Sequence, residues 1–114
     1  MEIKTDSYRV IQADENSTIK LEGALRLSGM EEYAPIVDLF NQVVDSSVEK
    51  ITLDLRELEF LNSSGINVLS KFVIKIRQKQ NIQMIVQGSQ KVAWQGKSLK
   101  NLQRLMPTLQ LKWE

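Results

Sequence analysis

The chain has no cysteine and no histidine, and only two prolines in 114 residues. Without cysteine it cannot form disulfides, thiolate metal sites or a cysteine nucleophile. Without histidine a Ser-His-Asp triad cannot be assembled, and zinc loses its commonest ligand. No segment approaches the ~20 apolar residues that a membrane-spanning helix needs. The start, Met1 to Asp6, lacks both the basic end and the apolar run of a secretory signal. Together these absences predict a cytoplasmic protein with no metal, no cofactor and no membrane partner.

What is present is ordinary in amount and uneven in distribution. Hydrophobic residues make up 42% and charged residues 25%, as in globular proteins, and the length suits one domain with one core. The net charge of +1 conceals a split. Up to Phe60 there are thirteen acidic and six basic residues, a balance of −7; from Leu61 onward there is one acid, Glu114, against nine basic residues, a balance of +8. Such asymmetry can orient a partner, unless the two halves interleave in space and cancel. The basic residues are scattered along helices without interleaved exposed aromatics, so the pattern favours an acidic protein surface over nucleic acid.

Period-2 runs at Tyr8–Ala13 and Thr18–Glu22, joined by the turn-forming Asp14-Glu15-Asn16-Ser17, predict a hairpin. Ala24 to Gly29 reads as a loop with Ser28 as a cap. A helix follows to about Ser47 with Ile36, Phe40, Val43 and Val44 on one face. Pro35 implies a short first turn or a helix starting nearer Ala34. Ile51–Leu55, Asn81–Gln87 and Leu109–Trp113 read as three further strands. Helices are expected over Ser64–Gln80 and Ser98–Met106, the latter with Leu99, Leu102, Leu105 and Met106 inward and Pro107 ending it. Strands alternating with helices after a hairpin predict an α/β fold with a mixed, largely parallel sheet of about five strands.

The most informative stretch is Asp54-Leu-Arg-Glu-Leu-Glu-Phe-Leu-Asn-Ser-Ser-Gly-Ile66. A strand passes through a short acidic connection into Asn62-Ser63-Ser64-Gly65, which opens an amphipathic helix. Open α/β sheets place functional loops at such strand ends. Two hydroxyls sit where helix N–H groups are unpaired and negative charge is favoured, so phosphorylation there strains the fold little. Asn and Ser are also ordinary caps, and a capping role alone is the competing reading. Along the helix, Ile66, Val68, Leu69, Phe72, Val73 and Ile76 form the buried arc. Ser63, Asn67, Ser70 and Ile74 form a separate stripe, which a partner reading Ser63 would follow. Ser64, 100° further round, is assigned to the helix start. Trp94 either borders the Ser63 turn or covers the core, and Trp113 packs. Lys91, Lys97, Lys100 and Arg104 read as a solvated helix face.

The run from Asp54 to Leu69 resembles the signature loop of STAS domains, the fold of bacterial anti-sigma factor antagonists. The resemblance extends in element order over roughly Tyr8 to Trp113, and implies one STAS-like domain over residues 1–114. In that family a hydroxy-amino acid in an Asp-Ser-Ser-Gly or Asp-Ser-Thr-Gly turn is phosphorylated by a kinase that is also an anti-sigma factor. The resemblance puts the phosphoacceptor on Ser63 with Ser64 and Gly65 as its motif neighbours; with the helical stripe, the expected partner contacts are Asn62, Ser63, Ser64, Gly65, Asn67, Ser70 and Ile74. It implies two protein partners, an anti-sigma factor of the serine-kinase type and a phosphatase that resets the switch, with no enzymatic activity in this chain. Two departures stand out. Asn62 replaces the usual Asp, and the chain ends soon after its last strand, where the family has a C-terminal helix. A change of Asn62 to Asp is expected to be tolerated, because a carboxylate near a helix N-terminus gains about 0.3–1 kcal/mol. Two other readings remain: a non-phosphorylated scaffold or small-ligand domain, and a small serine hydrolase or transferase. The latter has no base at a telling spacing.

Overall fold

A computed structural model describes residues 2–13 and 17–114. Strands β1 (Glu2–Lys4), β2 (Tyr8–Ala13) and β3 (Thr18–Leu25) are followed by helix α1 (Gly29–Val44) and strand β4 (Lys50–Leu61). Helix α2 (Ser63–Lys79), strand β5 (Gln83–Gly88), helix α3 (Gln95–Leu105) and strand β6 (Gln110–Trp113) complete it. One six-stranded sheet has the order β1-β2-β3-β4-β5-β6, antiparallel over the first three strands and parallel from β3 onward. The α/β architecture with a mostly parallel sheet is as the sequence predicts, with one strand more. The first strand, β1, is recruited by β2, with Ile3 opposite Val10. The turn expected over Asp14-Glu15-Asn16-Ser17 lies, except for Ser17, outside the described residues.

Each parallel crossover steps to the next strand in the same direction. Right-handed crossovers then place all three helices on one face of the sheet. That face carries the core, including Val10, Ile19, Leu21, Leu53, Leu55 and Val86 from the strands with Ile36, Leu39, Phe72, Val73 and Leu99 from the helices. The Phe40 and Phe72 rings stack at 4.2 Å where α1 meets α2. The opposite face is a charge ladder. Arg9 pairs with Glu2 at 2.7 Å and Glu22 at 3.6 Å, while Lys20 pairs with Glu22 at 3.3 Å and Glu57 at 2.9 Å.

Three sequence expectations are corrected. The acidic segment after Leu55 is not a connection: β4 continues to Leu61. Its register against β3 slips twice, between Lys20 and Glu22 and between Gly23 and Ala24, each time with one extra residue on β4. The two bulges turn the inward spacing from two to three, so Leu55, Leu58 and Leu61 are buried while Arg56, Glu57, Glu59 and Phe60 face out. Ala24 and Leu25 belong to β3 rather than to a loop. Gly23 bends that strand at φ +89°, and a side chain there would collide with the Ser7 carbonyl. Finally, α1 runs unbroken from Gly29 through Pro35. Pro35 and Glu31, whose carbonyl loses its i+4 donor, are both exposed, so water can replace the missing bond.

Chain order and sheet order coincide, so the acidic and basic halves lie side by side and do not interleave. They meet at the α1–α2 seam, where Asp45 pairs with Lys75 at 3.8 Å and Lys79 at 3.5 Å.

Candidate functional site

The turn between β4 and α2 is organised by the amide of Asn62. Its Oδ1 accepts from the Gly65 N–H at 2.9 Å, which is the helix N-cap bond, and from the Tyr33 hydroxyl at 2.7 Å. Its Nδ2 donates to the Leu27 carbonyl at 2.8 Å. One side chain thus ties three segments together: the end of β4, the segment leading into α1, and α1 itself. Tyr33 is 1% exposed, and burial pushes its phenol above the ordinary value, so it stays a donor. The Asn62 N–H donates to the Leu25 carbonyl at 3.1 Å, continuing the β3 pairing into the turn. Gly65 is buried beneath this network. A methyl there would overlap the Leu61 side chain and sit 2.7 Å from the Tyr33 oxygen.

Above this frame Ser63 is exposed and Ser64 half-buried. Neither hydroxyl makes a hydrogen bond to any described residue, and among those residues their backbone N–H groups are unpaired too. The turn therefore presents two free hydroxyls and two free amides at the N-terminus of a 17-residue helix. Among the described residues the nucleophile–base hydrogen bond of an active serine is absent at both.

The remaining stripe residues divide. Asn67 is exposed. Ser70 is half-buried and returns its hydroxyl to the Ile66 carbonyl at 2.9 Å, and Ile74 is half-buried. The surface continuous with Ser63 accordingly shrinks toward Asn67.

Trp94 lies at the same sheet edge but is committed to the scaffold: its Nε1 donates to the Leu58 carbonyl at 2.9 Å. Beside it Gln95, 0% exposed, donates to Leu55 O at 2.6 Å and Leu58 O at 3.2 Å, and accepts from Ser89 N at 2.8 Å. These two side chains satisfy the stretch of β4 that overhangs β5, whose pairing ends at Asp54 and Gln87. Trp113 is half-buried against the core, and Lys91, Lys97, Lys100 and Arg104 are all exposed.

Sequence reasoning missed Tyr33, Gln95 and Asp54. Tyr33 was accessible, since it continues the buried face of α1 at i−3 from Ile36. Asp54, 5% exposed, is clamped by Arg56, with Nε to Oδ1 at 2.9 Å and Nη2 to Oδ2 at 2.9 Å. Burial pushes the Asp54 carboxyl up, but the Arg56 bonds outweigh it and leave the value lowered. Arg56 also holds Glu114 at 3.2 Å, pinning the C-terminus to β4. Arg26 lies 4.6 Å over the exposed ring of Phe60, next to the turn.

A family model for the STAS domain matches residues 7–102. The chain belongs to the STAS domain family. Solved structures agree with it in fold. A chain of the Pseudomonas aeruginosa complex between diguanylate cyclase SiaD and its activator SiaC matches with TM-score 0.75 at 11% identity, covering 100% of this chain and 99% of that one. An anti-sigma factor antagonist from Mycobacterium paratuberculosis matches with TM-score 0.67 at 20% identity, covering 94% and 88%. The phosphorylated form of SpoIIAA, a Bacillus cell fate determinant, matches with TM-score 0.59 at 13% identity, covering 92% and 90%. No curated protein sequence matches. Within the STAS fold the Ser63 turn occupies the β4–α2 connection. Among the described residues no helix is long and apolar enough to cross a membrane, and no group of three or more acidic side chains is placed to hold a metal.

Proposed function

We propose that this STAS domain is a regulatory protein-binding module in the cytoplasm, without catalytic activity of its own, whose partner docks over the Ser63 turn. Phosphorylation of Ser63 weakens that docking. The observation that carries this reading is the division of labour at the turn. Asn62 and Gly65 are spent on internal structure, while Ser63 is exposed, free of hydrogen bonds and next to unpaired amides that suit an anion. The similar structures include an activator bound to an enzyme and antagonists of anti-sigma factors, which supports a protein as the ligand. A kinase of the anti-sigma type would supply the phosphoryl group and a phosphatase would remove it. Among the described residues no base bonds to either serine, which disfavours hydrolysis.

Phosphopeptide mapping of the protein from its native host tests the assignment. The expected result is phosphate on Ser63, lost in Ser63→Ala and kept in Ser64→Ala. Modification confined to Ser64 would move the acceptor. Unmodified serines, under conditions where the partner is bound and released, would favour a non-switching scaffold. That reading has its own support, because Asn62 stands where the family has Asp.

A further inference from the structure

We propose that the groove between α1 and α2 is a second contact on the same partner, an anchor pocket for one large apolar side chain, with a carboxylate of that partner paired to Lys71. The inference rests on the reading that the Ser63 turn faces a protein, and it adds a point of attachment that the turn itself lacks.

The groove encloses about 210 Å³. That is smaller than the roughly 300–1,000 Å³ of sites for small molecules, and suits a single side chain. Its walls are Val37 and Phe40 from α1 and Val68 and Phe72 from α2, with the stacked phenylalanines at its base. Met30 stands at its mouth and is 43% exposed. Among the described residues the other exposed large hydrophobic side chain, Phe60, already carries Arg26 on its face. Met30 has no such cover, and its unbranched thioether adapts readily to an incoming group.

Charge then selects the occupant. The titratable groups lining the groove are Lys71 and Lys75, and no carboxylate lines it. Lys75 is occupied by Asn41 Oδ1 at 2.9 Å and by Asp45. Lys71 is exposed and has no anionic partner among the described residues. An apolar anchor followed by Asp or Glu matches this arrangement, whereas one followed by Lys or Arg does not. The pocket is also beside the switch. Lys71 lies eight residues beyond Ser63, about 12 Å along α2 and about 80° around it, so the groove flanks the Ser63 stripe. A partner segment covering the turn reaches the groove without crossing another element.

Amide NMR of the isotope-labelled full chain tests this, with two synthetic amphipathic helical peptides as probes. One carries Leu anchors with Glu between them, and the other has Lys in place of each Glu. The Glu peptide should shift the amides around Met30, Val37, Val68 and Lys71, and bind about three- to tenfold tighter than the Lys peptide. Lys71→Glu, at an exposed position, should reverse the order, and Met30→Ala should weaken the Glu peptide. Equal binding of both peptides, an unchanged order in Lys71→Glu, or shifts centred on another face would overturn the proposal. So would decanoate shifting these amides where neither peptide does, since that marks a site for an anionic amphiphile. The titration uses unphosphorylated protein, so a silent groove leaves the Ser63 mapping intact, and an unmodified Ser63 leaves the groove result intact.

Discussion

Replacing Asn62 by Asp restores the residue usual in the family, and dipole reasoning alone predicts a gain. The structure predicts a loss. Asn62 Oδ1 already has two donors, Gly65 N–H and Tyr33 O–H, and a carboxylate would strengthen both. The other oxygen, however, would replace Nδ2, which lies 2.8 Å from the Leu27 carbonyl. Two acceptors would then face each other at hydrogen-bond distance. Leaving the partly buried carbonyl unpaired costs about 1–3 kcal/mol, and the facing acceptors repel each other. Against this stand about 0.3–1 kcal/mol from the dipole and a similar gain from the charged acceptor. The balance is a destabilisation of about 1–2 kcal/mol at pH 7, or roughly 4–10 °C in Tm. A protonated carboxyl can donate to Leu27 O, so the acid form suits the folded state better than the carboxylate does. The folded-state pKa is therefore raised, and the variant approaches the wild type below the ordinary Asp value of about 3.9 and falls behind as pH rises from there through the raised folded value. Urea unfolding of both proteins from pH 7 to pH 3.5 measures the gap. An Asn62→Asp protein as stable as wild type at pH 7 would refute the argument from the amide.

Two further predictions concern the scaffold. Gln95→Leu leaves Ser89 N–H and Leu55 O without partners in a fully buried site, and should cost about 2–4 kcal/mol, read as a fall in Tm of roughly 10 °C or more. A loss under 1 kcal/mol would mean that water or a backbone shift replaces the amide. Asp54→Asn should destabilise at neutral pH, and the gap should close in acid. The folded pKa of Asp54 is lowered, so its pairing with Arg56 stabilises the fold above the ordinary Asp value of 3.8 and is lost as pH falls through the lower folded value. A gap in urea midpoint that stays constant from pH 7 to pH 2.5 would show that the carboxylate's charge is immaterial.

The parts of the fold visible in the sequence were those set by local periodicity. The amphipathic arcs of α1 and α2, the hairpin strands, β5 and β6 follow from spacing alone, as does the turn at Ser63, because caps are local devices. What escaped depended on residues far apart in the chain. Three charged or apolar residues at the N-terminus become β1 only because β2 offers an edge. The double bulge gives β4 a spacing of three that belongs to neither a regular strand nor a helix. The start of α3 at Gln95 was obscured by Gly96 and Lys97, and its first residue is fixed by bonds to β4 some forty positions earlier. At the site, Ser63 was legible and its support was not. Asn62 looked like a cap, but half of its amide serves Tyr33 and Leu27, 29 and 35 residues away.

The same geometry limits how a phosphate on Ser63 can act. On the open face Glu2, Glu22 and Glu57 are paired with cations, whereas Lys71 and the α3 lysines beyond the turn have no ion-pair partner among the described residues. An added phosphate sits at the border between these territories. Its long-range field is weak: at about 10 Å in water, two charges acting on one carboxylate give about 0.8 kcal/mol, and a Debye length of about 8 Å cuts this to about 0.2 kcal/mol. Rearrangement within the domain has little driving force either. The neighbouring amides already favour an anion, and Ser63 has no bond to lose. Burying a phosphate under a partner without a new cation costs several kcal/mol, and each ~1.4 kcal/mol is tenfold in affinity. The short-range term dominates by an order of magnitude. A switch built on Ser63 therefore acts only on a partner that covers Ser63 itself, and a partner held solely by the α1–α2 groove would not sense it.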